Sequence, residues 1–205
     1  MTLRLGILIS GGGTTLQNLA DVIARKELDA QIACVIASNP TCKGIQRAQN
    51  LHLPVHIITR KDSGSLEAFS ERIAHILRHH SVDLALMAGF LSLWQIPDDF
   101  AGRVLNIHPA LLPSAGGGPG KYGGKGMHGH HVHQAVLAAG EKESGCTVHF
   151  ADNTYDTGPI LLQKKVPVLP SDTPDSLAAR VFEQECLAYP EAIRLYIESK
   201  GRPPK

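Results

Sequence analysis

Apolar and polar positions along this chain fall into blocks whose period changes repeatedly from two to about 3.6. Residues 5–9 form a continuous apolar run bounded by glycines, as expected of a strand covered on both faces. After Ser10-Gly11-Gly12-Gly13-Thr14-Thr15, apolar residues recur at Leu16, Leu19, Ala20 and Ile23, the spacing of an amphipathic helix. The same reading predicts strands over 32–37, 55–58 and 82–87, and helices over 44–50 and 65–80. A fifth strand starts at Val104. A helix is expected over 132–139, and strands over 145–151 and 160–168. Thr173-Pro174-Asp175 then opens a final helix, with a capping hydroxyl, a proline in the first turn and an early acid.

Strands that alternate with helices over the first half predict an α/β fold with a doubly wound, mostly parallel sheet. The last two strands, joined by a turn-rich stretch, predict an antiparallel C-terminal extension. At 205 residues the chain fits one domain, taken as 1–198, followed by a polar tail over 199–205 that should fray.

Composition narrows the function classes. The formal charge is +1, with 20 Lys+Arg against 19 Asp+Glu and no long run of either sign, which argues against a general nucleic-acid binder. No apolar run approaches a membrane span. The apolar start meets Ser10-Gly11 instead of a cleavage site, so it reads as a first strand rather than a signal peptide. Cys34, Cys42, Cys146 and Cys186 lack paired metal spacing and are expected to be reduced thiols in a cytoplasm.

Ligands of such sheets bind beyond the carboxyl ends of the strands. That rule would put three features on one rim: the glycine turn after the first strand, Gly89-Phe90 after the fourth, and Asn106/His108 after the fifth. The glycine turn leaves backbone N–H groups free at a helix start and could hold a phosphate or carboxylate. A turn needed only for tight packing is the plain alternative. Asn106 and His108 are two apart on an extended segment, so they should emerge on the same face, beside a rigid proline turn. An amide next to a titratable ring suits chemistry at a carbonyl carbon, and a strand end merely capped by polar residues is the plain alternative.

Other residues invite weaker readings. The glycine-rich stretch 114–129 should be a mobile loop, from which Lys121 and Lys125 could reach an anion. His75, His79 and His80 read as surface residues at a helix end. His128, His130, His131 and His133 tempt a metal assignment, but no cysteine or carboxylate cluster accompanies them, and no metal is expected. Glu185 falls on an apolar line with Leu177 and Val181, so it needs a partner, either a ligand hydroxyl or a salt bridge.

Taken together, Ser10-Gly11-Gly12-Gly13-Thr14-Thr15-Leu16-Gln17, Asn106-Ile107-His108-Pro109-Ala110-Leu111-Leu112-Pro113, and Val148-His149-Phe150 followed by Asp156-Thr157-Gly158-Pro159 resemble the folate-dependent formyltransferases. Within that superfamily the hydroxyl-bearing glycine turn points to the glycinamide ribonucleotide branch. The resemblance covers nearly the whole chain in order.

It implies a Rossmann-like formyltransferase fold and transfer of a formyl group from 10-formyltetrahydrofolate, as co-substrate, to the amine of phosphoribosylglycinamide in purine biosynthesis. Asn106, His108 and Asp156 would be the catalytic trio. Gly11, Gly12, Gly13 and Thr14 would hold the phosphate, and Glu185 the ribose. Gly89, Phe90, Leu91, Val104 and Ala151 would line the folate site. The partners expected are small molecules, with neither nucleic acid nor membrane, and the protein would be a monomer or homodimer. By the same resemblance the Leu112–Pro113 bond is expected to be cis.

The alternatives are a 10-formyltetrahydrofolate hydrolase with the same trio, or a formyltransferase for another amine. A silent binding module for a phosphorylated metabolite would keep the glycine turn but have no use for the trio. A formyltransferase acting on tRNA would need a further nucleic-acid-binding domain.

Overall fold

The structure is a computed structural model that describes residues 2–113 and 118–199. It divides into two compact units, Met1–Leu105 and Asn106–Lys205.

In the first unit, β1 (Leu3–Ile9) pairs in parallel with β2 (Ala30–Ala37) and β4 (Leu84–Met87), and β2 pairs in parallel with β3 (Val55–Ile57). The strand order is therefore β3-β2-β1-β4. The apolar run predicted for the first strand is its core: Leu5, Ile7, Leu8 and Ile9 are all fully buried. The helices are α1 (Thr14–Ala24), α2 (Lys43–Asn50), a single-turn α3 (Arg60–Ser63) and α4 (Leu66–His79). Helix α1 buries Leu16 and Leu19 of its predicted apolar line, with Val22 in place of the half-buried Ala20 and Ile23, and α4 buries Phe69, Ile73 and Leu77 while Leu66 and Ile76 stay half-buried. Trp94 fills the core and donates from Nε1 to the carbonyl of Ser70.

Sequence reading missed α3. Its four residues are too few for a periodic signal, and its start is set by Thr59, whose hydroxyl accepts from the Asp62 amide. His80 differs from the expected surface residue. It is half-buried, its Nε2 lies 2.8 Å from Nε2 of His56, and the Arg4 guanidinium takes its carbonyl. Burial is the largest cause lowering the pKa of both His56 and His80.

Strand β5 (Val104–His108) leads into the second unit, where β6 (Glu143–Phe150) and β7 (Ile160–Pro167) pair antiparallel. Helix α5 (His130–Ala138) precedes β6. The long α6 (Pro174–Glu198) packs on β6, β7 and α5 and buries Leu177, Val181, Tyr189 and Ile193. It starts as its sequence predicts: the Thr173 hydroxyl accepts from the Ser176 amide, and the Ser176 hydroxyl accepts from the Thr173 amide. These strands and helices make the doubly wound, mostly parallel α/β class expected, with its antiparallel C-terminal extension.

The Leu112–Pro113 bond is trans, contrary to the expectation, since no peptide bond among the described residues is cis. Leu112 is tied on both sides in this geometry. Its N–H donates to Thr147 Oγ1, and its carbonyl accepts from Gln163 Nε2. The tail expected over 199–205 lies outside the described residues except for Ser199. No described helix is long and apolar enough to cross a membrane.

Candidate active site

The expected trio is gathered entirely within the second unit. Asn106 and His108 alternate with buried Leu105 and Ile107 on β5, so both side chains leave the strand on one face. Asp156 meets them from the loop between β6 and β7. Asn106 Nδ2 donates to Asp156 Oδ1 at 3.2 Å, and His108 Nδ1 lies 3.6 Å from the same oxygen. The remaining carboxylate oxygen, Oδ2, accepts from the Gly124 amide at 2.9 Å.

Local chemistry holds that loop in shape. The Asp152 carboxylate accepts from the Thr154 amide and from the hydroxyls of Thr154 and Thr157. Gly158 has to be glycine, because a Cβ there would stand 1.9 Å from the carbonyl of Phe150. Asp156 itself has φ 56, a left-handed conformation that a short polar side chain tolerates but few other residues do.

A fourth residue belongs to the cluster. His149 is 2% exposed, and its Nδ1 donates to the carbonyl of Phe150. A carbonyl can only accept, so in the neutral ring Nε2 is left as an acceptor. It receives the Asn106 amide at 3.0 Å. This bond fixes which way the Asn106 amide faces. Both of its N–H groups are engaged inside the protein in this state. Sequence reading quoted His149 in a motif without giving it a role. The usable signal was its position at a strand end, facing the same loop as Asp156.

Electrostatics sets the resting charges. Burial is the largest influence on His108 and lowers its pKa. The Asp156 charge and the Tyr122 carbonyl push it up, and His149 pushes it down again. The resting imidazole therefore leans neutral. Burial works against the Asp156 charge, but hydrogen bonding and the neighbouring imidazoles outweigh it and hold this carboxyl below its ordinary value. His108 Nε2 donates to the carbonyl of Tyr122 at 2.6 Å, so in the neutral ring Nδ1 is the nitrogen with a free lone pair.

Glu185, on α6, is also in the second unit, and burial pushes its carboxyl up to about 7. Ala151 is half-buried where the Asp156 loop begins.

The glycine turn lies in the first unit. Gly13, at φ 72, caps α1, and no side chain caps the helix. A Cβ on Gly13 would stand 2.7 Å from Cα of Gly44, whose amide donates to the carbonyl of Gly11. The turn is thus pinned at close backbone approach while its helix start stays uncapped. Arg47, which sequence reading passed over, places its guanidinium beside the turn and donates to the carbonyl of Gly12. Ser10 joins this turn to the expected folate segment: its amide donates to Gly89, and its hydroxyl accepts from the Leu91 amide. Phe90 stacks on Phe69, and Leu91 is 48% exposed. Val104 is fully buried and offers no surface to a ligand in this state.

The glycine-rich stretch is only partly within the described residues, which exclude 114–117. Lys121 turns to Glu141 at 3.4 Å. Of the histidine cluster, His128 and His131 meet edge to face, His130 lies 3.3 Å from Asp175, and His133 is buried. Among the described residues no group of three His, Cys, Asp or Glu side chains could hold a metal ion.

Comparison with known proteins shows the family of this chain. The sequence profile of the formyl transferase family matches residues 3–193. The chain is 35% identical to a phosphoribosylglycinamide formyltransferase of Haemophilus influenzae over 97% of its own length and 89% of that protein's. It is 39% identical to part of a trifunctional purine biosynthetic protein of Drosophila melanogaster, covering 95% of this chain but only 14% of that protein. The crystal structure of glycinamide ribonucleotide transformylase 1 from Symbiobacterium toebii superposes with a TM-score of 0.85 at 36% identity, over 97% of this chain and 89% of that one.

Proposed function

Since the chain belongs to the formyl transferase family, we propose that it transfers the formyl group of 10-formyltetrahydrofolate to the amine of 5'-phosphoribosylglycinamide in purine biosynthesis. The observation that carries this reading is the convergence of Asn106, His108 and His149 on one oxygen of Asp156, within 3.6 Å, at a buried strand end.

The chemistry follows from those groups. The substrate amine attacks the formyl carbon, a C–N bond forms, and the carbonyl oxygen gains negative charge. Neutral His108 takes the proton that the amine loses, on Nδ1, and becomes an imidazolium beside Asp156. Asp156 stabilises that cation by Coulomb attraction, which makes the ring a stronger base than burial alone would allow. The imidazolium and the Asn106 amide then face the oxyanion, each such donor being worth ~3 kcal/mol. Collapse breaks the bond to N10 of the folate, and the proton passes to that nitrogen. Asn106 has to release one of its internal hydrogen bonds to take part.

Gly11, Gly12, Gly13 and Thr14 would hold the substrate phosphate on backbone N–H groups, with Arg47 adding positive charge. Glu185 would meet the ribose hydroxyls, and Gly89, Phe90, Leu91 and Ala151 would meet the folate. Residues 1–198 would work as one catalytic domain, in the cytoplasm, as a monomer or homodimer, without a metal.

The test is an assay of purified protein with 10-formyltetrahydrofolate, with and without phosphoribosylglycinamide. Folate turnover that depends on the amine is expected. Equal turnover without it would make the protein a hydrolase, and no turnover at all a binding module. His108→Ala and Asp156→Asn should each lower kcat at least 100-fold, on the order of one lost catalytic group, with substrate Kd nearly unchanged. Normal turnover in either variant would remove the trio from the mechanism.

A further inference from the structure

Tyr122 touches the catalytic cluster through its backbone and a distant acid through its side chain. Its carbonyl accepts from His108 Nε2 at 2.6 Å, and its hydroxyl donates to Glu141 Oε1. Lys121 reinforces the same anchor, with Nζ 3.4 Å from that carboxylate and 5.2 Å from the centre of the Tyr122 ring. Two residues further on, the Gly124 amide donates to Asp156 Oδ2, so the segment contacts both acid–base members of the trio. Gly123 allows this approach: a Cβ there would stand 2.3 Å from the carbonyl of Pro119 and 3.2 Å from Cβ of Asp156.

We infer that Tyr122 is a positioning residue for His108. Its carbonyl, anchored through the Tyr122–Glu141 hydrogen bond, holds the imidazole as the Nε2–H tautomer with Nδ1 toward the reacting atoms. The inference rests on the reading of His108 as the proton carrier.

The physical case is one of accounting. A neutral imidazole has one N–H, and whichever nitrogen donates leaves the other as the base. Among the described residues the closest acceptor to either ring nitrogen is the Tyr122 carbonyl, and Asp156 Oδ1 stands at 3.6 Å from Nδ1, beyond hydrogen-bond reach. The carbonyl therefore decides the tautomer. Three other titratable groups face this ring: Asp156 from its loop, His149 from β6 and His133 from α5. None of them is an acceptor for Nε2. Tyr122 and Glu141 also line a cavity of about 370 Å³, so a ring released from its anchor has room to move and to carry its carbonyl away.

The experiment is a ¹⁵N titration of the His108 ring in the full-length protein, run beside steady-state kinetics. The parent should show the Nε2–H tautomer in its neutral form. Tyr122→Phe and Glu141→Ala should each produce a mixture of tautomers, move the His108 titration to lower pH, and lower kcat about 3- to 10-fold with KM for both substrates nearly unchanged. Glu141→Gln keeps an oxygen acceptor for the tyrosine hydroxyl and should stay close to the parent on every readout.

An Nδ1–H tautomer in the parent would overturn the inference, as would an unchanged tautomer in Tyr122→Phe and Glu141→Ala. A rise in kcat in those variants would also overturn it, by making the carbonyl an obstruction. Failure of the underlying reading is separable: His108→Ala would then remain active, whatever Tyr122 does.

Discussion

Glu185 carries its carboxyl on an apolar line of α6, where burial pushes it from 4.5 up to about 7 and no cation pairs with it among the described residues. A carboxyl whose folded pKa is raised stabilises the fold fully below the unfolded value. It loses that contribution as pH rises through the folded one. Stability measured by urea unfolding should therefore fall between about pH 4.5 and 7 on account of this residue. Glu185→Gln should remove that component. If the variant and the parent show the same pH dependence, the carboxyl is not held protonated. His133 acts with the opposite sign over much of the same range. Buried and neutral, with Nδ1 lacking a hydrogen-bond partner among the described residues, it is pushed by burial down to about 4 from 6.5, so its contribution grows as pH rises from 4 to 6.5. The two partly offset each other, and single variants are needed to see either. The apolar neighbours of Glu185 were legible in its helical spacing. The burial of His133 was not, because nothing local separates it from the three other histidines around it.

Strands β5 and β6 present Asn106, His108 and His149, whereas turns present the other candidate residues, Asp156 and the glycines after β1. The glycine turn works because Gly13 accepts a left-handed φ of 72 and sits against backbone of Gly44. Gly13→Ala would place a methyl group 2.7 Å from Cα of Gly44 in a strained conformation. A loss of about 1–3 kcal/mol is expected in equilibrium unfolding, together with weakened phosphate binding if this turn is the cradle. A variant as stable as the parent would mean that the turn relaxes freely. Turn composition made this element readable from the sequence, as did Thr173-Pro174-Asp175 at the start of α6. The loop carrying Asp156 was readable only as a loop. Its left-handed aspartate and the Asp152 hydrogen bonds that shape it depend on neighbours that no periodicity encodes.

At the scale of the molecule, a ligand that binds the folded protein alone must raise its stability by mass action. At a free concentration 100 times Kd the gain is about 2.7 kcal/mol, which for a chain of this size corresponds to a rise in Tm of roughly 5–10 °C. Phosphoribosylglycinamide should produce such a shift in thermal unfolding, and Gly13→Ala should reduce it. The absence of any shift at saturating amine would count against this acceptor and favour the hydrolase.

The sequence alone determined the order of the strands and of every helix longer than the single turn α3, because burial imposes period two or 3.6 on apolar positions and turn residues interrupt both. It also determined that Asn106 and His108 share a face, because alternation is a property of any strand. Tertiary structure decided the rest. It set the hydrogen bonds of His149 and Tyr122, which orient the amide and the imidazole, and the burial that leaves His108 leaning neutral beside Asp156. Orientation, tautomer and pKa depend on which atoms meet across 14 to 50 positions of chain, and a one-dimensional pattern holds no record of those distances.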